Sequence, residues 1–111
     1  MPIESAQVLD AIGINENTGN IEMFVEDNEI WDDEGQHIEL LQDKLYMYLH
    51  FVLEGQIFEV FSNPEDMNRT ICFVVKFRHK ISENMREFLE FYKISLMQHK
   101  ILLCWIEENA A

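Results

Sequence analysis

The chain has 111 residues, with 21 acids against 8 bases for a formal charge of −13, and 48% of its residues are apolar. That length suits one domain with one core and is too short for two ordinary domains, and so apolar a composition is that of a folded protein rather than a disordered tail. The charge argues against direct binding to nucleic acid, whose affinity comes from Lys and Arg that displace counterions, and against anionic membrane surfaces for the same reason.

In chain order, residues 8 to 14 (VLDAIGI) and 21 to 27 (IEMFVED) are short apolar runs separated by the Asn/Gly-rich hexapeptide NENTGN, which predicts a β-hairpin. The segment EDNEIWDDE, residues 26 to 34, carries six carboxylates in nine positions and is expected to be largely solvated, as a loop or the ragged end of a strand leading into a helix. From about Gly35 the period becomes 3.6, with Ile38, Leu41, Leu45, Tyr48, Leu49 and Val52 on one face, Asp32 or Asp33 as the cap and Gly55 as the stop. QIFEVF, residues 56 to 61, reads as a short strand, and SNPEDMNR after it as a turn.

TICFVVKFRH, residues 70 to 79, is the clearest strand: Ile71, Phe73, Val75 and Phe77 alternate with Cys72, Val74, Lys76 and Arg78. Ser82 caps a second helix in which Met85, Phe88, Leu89, Tyr92 and Leu96 recur at helical spacing, and ILLCWIE, residues 101 to 107, closes the chain as a strand. The expected fold is a single α+β domain over residues 1 to 111 in the order β-β-α-β-β-α-β, mostly antiparallel, with two helices on one face of the sheet.

The charge is unevenly placed. Residues 1 to 45 hold twelve acids against one base, Lys44, which is −11 of the −13, while the remaining residues hold nine acids against seven bases. A concentrated field of one sign speeds encounter with a partner of the opposite sign and excludes like-charged ones. Glu26, Asp27, Glu29, Asp32, Asp33 and Glu34, with Trp31 among them, are therefore the candidate partner-binding residues. An aromatic anchor ringed by carboxylates has the composition of a hot spot that faces Lys and Arg. The plainer reading of Trp31 packs it under the start of the helix, and both stand at this point.

Sites of other chemistry are missing from the sequence. The four His (37, 50, 79 and 99) have no metal-ligand spacing, and a calcium loop opening at Asp27 fails at Trp31 and Asp32, so neither a metal nor a cofactor is expected. No phosphate loop or nucleophile elbow occurs, and Cys72 and Cys104, each inside a dense apolar run, read as small core residues rather than as a bridge or a nucleophile. No catalytic residue is assigned and no enzymatic activity is expected. No apolar run is long enough to span a bilayer, and the start Met-Pro-Ile-Glu-Ser lacks the layout of a signal peptide, so the cytoplasm is the expected location.

The stretch from Trp31 to Phe61, WDDEGQHIELLQDKLYMYLHFVLEGQIFEVF, with the AIG of the first strand, resembles a group of small bacterial proteins of unknown function. Its size, acidity and lack of a catalytic motif are similar to those of immunity proteins of polymorphic toxin systems, including contact-dependent growth inhibition. That resemblance implies a basic toxin domain, a nuclease and most naturally a ribonuclease, as a one-to-one partner whose positive groove the carboxylates cover. The alternative is a self-associating adaptor or structural domain that uses an exposed sheet face or the Phe-rich segment FLEFY, residues 88 to 92; Phe91 lies off the main stripe of its helix, or else simply extends it.

Overall fold

In a computed structural model of the chain, which describes residues 11–27, 34–61 and 63–108, the Asn/Gly cluster makes the hairpin its composition predicts. Strand β1 (Ala11–Ile14) pairs antiparallel with β2 (Ile21–Asp27). Asn15 organises the turn: its Oδ1 accepts the amides of Asn17 at 2.8 Å and Thr18 at 3.3 Å, and Gly19 takes φ +77° so that its own amide reaches the Asn15 carbonyl at 2.7 Å. Only a residue without Cβ adopts that backbone at little cost.

Helix α1 (Glu34–Leu53) follows, and the predicted stripe is its inner face. Leu41, Leu45 and Tyr48 are fully buried, with Ile38, Leu49 and Val52 packed beside them. The chain leaves α1 through Gly55 at φ +79°, in keeping with the expected stop.

The next segment corrects the sequence reading. QIFEVF is not a strand but a single helical turn, α2 (Ile57–Val60), followed by a 3-10 turn over Pro64–Asn68. The amides of Phe58, Glu59 and Phe61 bond back to the carbonyls of Gly55, Gln56 and Ile57, so these donors are used within the turn rather than in a ladder. Six residues with four apolar ones fit either period, and only Ile57 among them is fully buried.

Strand β3 (Ile71–Phe77), helix α3 (Glu83–Met97) and strand β4 (Ile101–Glu107) then fall where the alternation and the helical spacing put them. Ser82 is the cap of α3, its Oγ accepting the Met85 amide at 3.1 Å.

With the extra strand gone, the order becomes two successive β-α-β units behind a hairpin. The sheet runs β1-β2-β3-β4, and β2–β3 and β3–β4 are parallel, so the sheet is mixed and not mostly antiparallel. A helix between neighbouring strands carries the chain back to the end where it began, and the next strand therefore points the same way. One cluster of buried residues joins a single parity of the sheet to both long helices: Ile21, Met23 and Val25, Ile71, Phe73, Val75 and Phe77, and Ile101 and Leu103 belong to it together with Leu41, Leu45, Tyr48, Met85, Leu89 and Leu96.

The opposite face carries the other parity of each strand. Glu22, Phe24 and Glu26 of β2 stand beside Cys72, Val74 and Lys76 of β3, and these beside Leu102, Cys104 and Ile106 of β4. This face is open to solvent toward β4, while Cys72 and Val74 of β3 on the same face are 6% and 3% exposed. Leu102 and Ile106 are 44% and 50% exposed, and among the described residues β4 has a sheet partner on one side only. No helix among the described residues is long and apolar enough to cross a membrane.

Candidate functional site

The acidic tract begins at the carboxyl end of β2, and its first two residues part company there. Glu26 is exposed on the open face, in register with Lys76 of β3. Asp27, one position on, turns to the helix-covered face and is 1% exposed. Its Oδ2 meets His37 Nε2, which is also buried, at 2.5 Å. Asp27 is thus an exception in a tract expected to be largely solvated, because strand alternation sends successive side chains to opposite faces and the buried imidazole gives this carboxylate a polar partner. Glu34 is the first residue of α1. Glu29, Trp31, Asp32 and Asp33 lie outside the described residues, as does the capping role given to Asp32 or Asp33.

Helix α1 brings a second charge inward. Lys44 is 0% exposed, with its Nζ 5.7 Å from the centre of the Tyr48 ring, and the Tyr48 hydroxyl donates to the Phe24 carbonyl at 2.6 Å. His37, Lys44 and Tyr48 follow the same heptad-like spacing as Leu41 and Leu45, and that was the signal available in the sequence: two polar residues in step with an apolar stripe. Burial of Lys44 has an electrostatic consequence, since it is the one base among the first 45 residues. Among the described residues of that half, its withdrawal leaves no Lys or Arg exposed.

The open face holds the other chemically distinctive pair. Cys72 is buried, as expected, but Cys104 is exposed, because β4 is an edge strand and alternation puts Cys104 opposite the buried Leu103. The two sulfurs are 3.6 Å apart on neighbouring parallel strands. The hydrogen bond from Cys72, aided by Lys93, lowers the Cys104 thiol to about 7 against the opposing effects of burial and Glu22. The same hydrogen bond, with burial next, pushes Cys72 well above the ordinary thiol range. This corrects the reading that neither cysteine has a setting that activates it. A run of apolar letters had hidden which of them faces outward.

Groups of three or more His, Cys, Asp or Glu placed to hold a metal ion are absent among the described residues.

A family model described as a family of unknown function, DUF6572, matches residues 1–109. No curated protein matches the chain, and no solved structure does.

Proposed function

Since the chain belongs to DUF6572, a family of unknown function that passes on no activity, we propose from its own charge and surface that it is a cytoplasmic, non-enzymatic immunity protein. It binds a basic nuclease toxin domain, most naturally a ribonuclease, one to one, and neutralises it by covering the positive cleft that would hold nucleic acid. The observation that carries this reading is the concentration of −11 of the −13 charges in residues 1–45, where the one base, Lys44, is buried. A carboxylate field of that kind speeds association with a cationic cleft and repels the nucleic acid that competes for it.

The interface on this reading is Glu26 with Glu29, Asp32, Asp33 and Glu34, anchored by Trp31. Asp27 lies at the end of β2 where the tract begins, but it is buried against His37 and so is not counted in the interface. The test is capture from host extract on the immobilised protein, with elution in rising salt, followed by assay of the eluate for nuclease activity and for its inhibition by added protein. A basic nuclease domain released by salt is the expected result, and the double variant Asp32→Lys, Asp33→Lys associates with it more slowly. Undiminished inhibition by that double variant removes the interface from this tract.

A second reading is favoured by one observation. Leu102 and Ile106 are exposed on the outermost strand, and Phe91, Ile94 and Met97 are exposed on α3. An unpaired apolar edge strand is a template for another copy of itself, which suits a self-associating adaptor. Sedimentation of the pure protein separates the two: a stable dimer formed without a partner supports self-association, and a monomer at high concentration leaves the immunity reading.

A further inference from the structure

We propose that Cys104 and Cys72 form a modification site in which Cys104 takes up a small-molecule disulfide such as oxidised glutathione and Cys72 then resolves the adduct into an internal bridge. The proposal stands on the placement of the two thiols and is independent of the toxin-binding reading.

Three observations carry it. The sulfurs are 3.6 Å apart, so the second thiol is within reach of an adduct formed on the first. Their accessibility is unequal: Cys104 is exposed on the edge strand and Cys72 is 6% exposed in the strand inside it, which sets the order of attack. Cys104 also borders a shallow groove lined by Glu90 and Lys93 of α3 and by Leu103 and Trp105 of β4, where Lys93 offers a positive charge to an anionic thiol compound. A low-pKa, accessible cysteine poised beside a resolving one is the arrangement by which proteins respond to thiol oxidants.

The steps balance with the disulfide, RSSR, as the only oxidant. The Cys104 thiolate attacks one sulfur of RSSR; a Cys104–SR bond forms, the RS–SR bond breaks, and the first RS⁻ leaves. Cys72 then attacks Cys104 Sγ; the Cys72–Cys104 bond forms, the Cys104–SR bond breaks, and the second RS⁻ departs with the Cys72 proton. The protein loses two electrons and RSSR gains them. Diagonal positions on neighbouring strands have Cα atoms about 7–8 Å apart, beyond the roughly 4.4–6.8 Å that a disulfide usually spans, so closing the bridge requires the backbone to move. The bridge therefore draws β4 toward β3. As β4 has a sheet neighbour on one side only, that movement disturbs one ladder rather than two. A bridge of this kind is readily reduced again.

The experiment treats the reduced full chain with oxidised glutathione near neutral pH, quenches with acid over time, and maps adducts by intact mass and peptide mass spectrometry. The expected course in the unaltered protein is a transient glutathione adduct on Cys104, replaced by a monomeric product with a Cys72–Cys104 bridge. First modification at Cys104 should exceed that at Cys72 by at least about tenfold, from the thiolate fraction near pH 7 of a lowered against an ordinary thiol. In Cys72→Ser the adduct persists on Cys104, and in Cys104→Ser neither adduct nor bridge forms in the same time. First modification at Cys72, an adduct on Cys104 that never resolves in the unaltered protein, or a disulfide between two molecules overturns the proposal. Mapping of the unaltered protein decides between these outcomes even where a variant folds poorly.

Discussion

Asp27 Oδ2 and His37 Nε2 lie 2.5 Å apart, both out of solvent, and join the last residue of β2 to the first turns of α1. The contact ties β2 to α1 on either side of residues 28–33. Removing one member takes a hydrogen-bond partner from a buried polar group, which costs about 1–3 kcal/mol. Asp27→Ala is therefore expected to lower the urea midpoint, by about 2 kcal/mol in unfolding free energy. His37→Ala should behave alike, and the double variant should lose far less than the sum, which a double-mutant cycle reads directly. Additive losses would show that the two residues act separately.

Tyr48 makes a second tie between the same helix and strand. Its hydroxyl donates to the Phe24 carbonyl at 2.6 Å while its ring packs edge-on against Phe73 at 5.8 Å. Tyr48→Phe keeps the ring contact and leaves the carbonyl without this donor, so a loss of about 1 kcal/mol is expected. Tyr48→Ala removes both and should cost about 3–5 kcal/mol. Denaturant unfolding of the two variants separates the hydrogen bond from the packing.

The elements that could be read from the sequence are those with punctuation at both ends. Helix α3 runs from the Ser82 cap with five apolar residues in step, and α1 ends before Gly55; both were placed to within a residue or two. QIFEVF is bounded too, by Gly55 and the Asn63-Pro64 turn, but six residues with four apolar ones fit either period, and one misread turn of helix there added a strand to the expected sheet. The buried polar residues escaped for a different reason. Nothing local says that Asp27 will find His37 ten positions later, or that Lys44 will be drawn under the sheet; only the crossover that folds α1 back onto β2 brings them together. Cys104 was misplaced because an apolar heptapeptide reads as buried on both faces, whereas an edge strand with helices on one side buries only alternate residues.

Arg69 clasps the hairpin from the far side of the crossover. Its Nε donates to Asp66 Oδ1 at 2.7 Å, and its Nη1 donates to the Gly19 carbonyl at 3.0 Å. A Cβ on residue 19 would sit 3.3 Å from that same Nη1, on a backbone at φ +77°. Gly19→Ala should therefore cost about 1–2 kcal/mol through left-handed strain alone, with crowding of the guanidinium added to it. Arg69→Ala, whose ion pair is partly screened by solvent, should cost about 1 kcal/mol. The chief effect should be local: faster amide exchange at Gly19, whose loop loses its tie to the 3-10 turn, with little change at Leu89 in the core.

The reactivity of Cys104 should carry the signature of its neighbour. Its thiol is lowered to about 7, first by the hydrogen bond from Cys72 and further by Lys93, while burial and Glu22 act the other way. The thiolate is the nucleophile, so alkylation of Cys104 by iodoacetamide in the folded protein should rise with pH and reach half its limit near 7, well below the ordinary thiol midpoint. Cys72→Ala takes away the largest of the lowering influences and leaves burial and Glu22 in place. The midpoint should then move upward, to the ordinary thiol value of about 8.5 or above. Lys93→Ala should shift it upward by less, and Glu22→Gln should shift it downward, since each change removes one charge of known sign. Rates followed by mass spectrometry across pH 6 to 10 give all four midpoints. An unmoved midpoint in Cys72→Ala would show that the contact at 3.6 Å does not govern the thiol, whereas an upward shift ties the exposed sulfur on the edge strand to the buried one beside it.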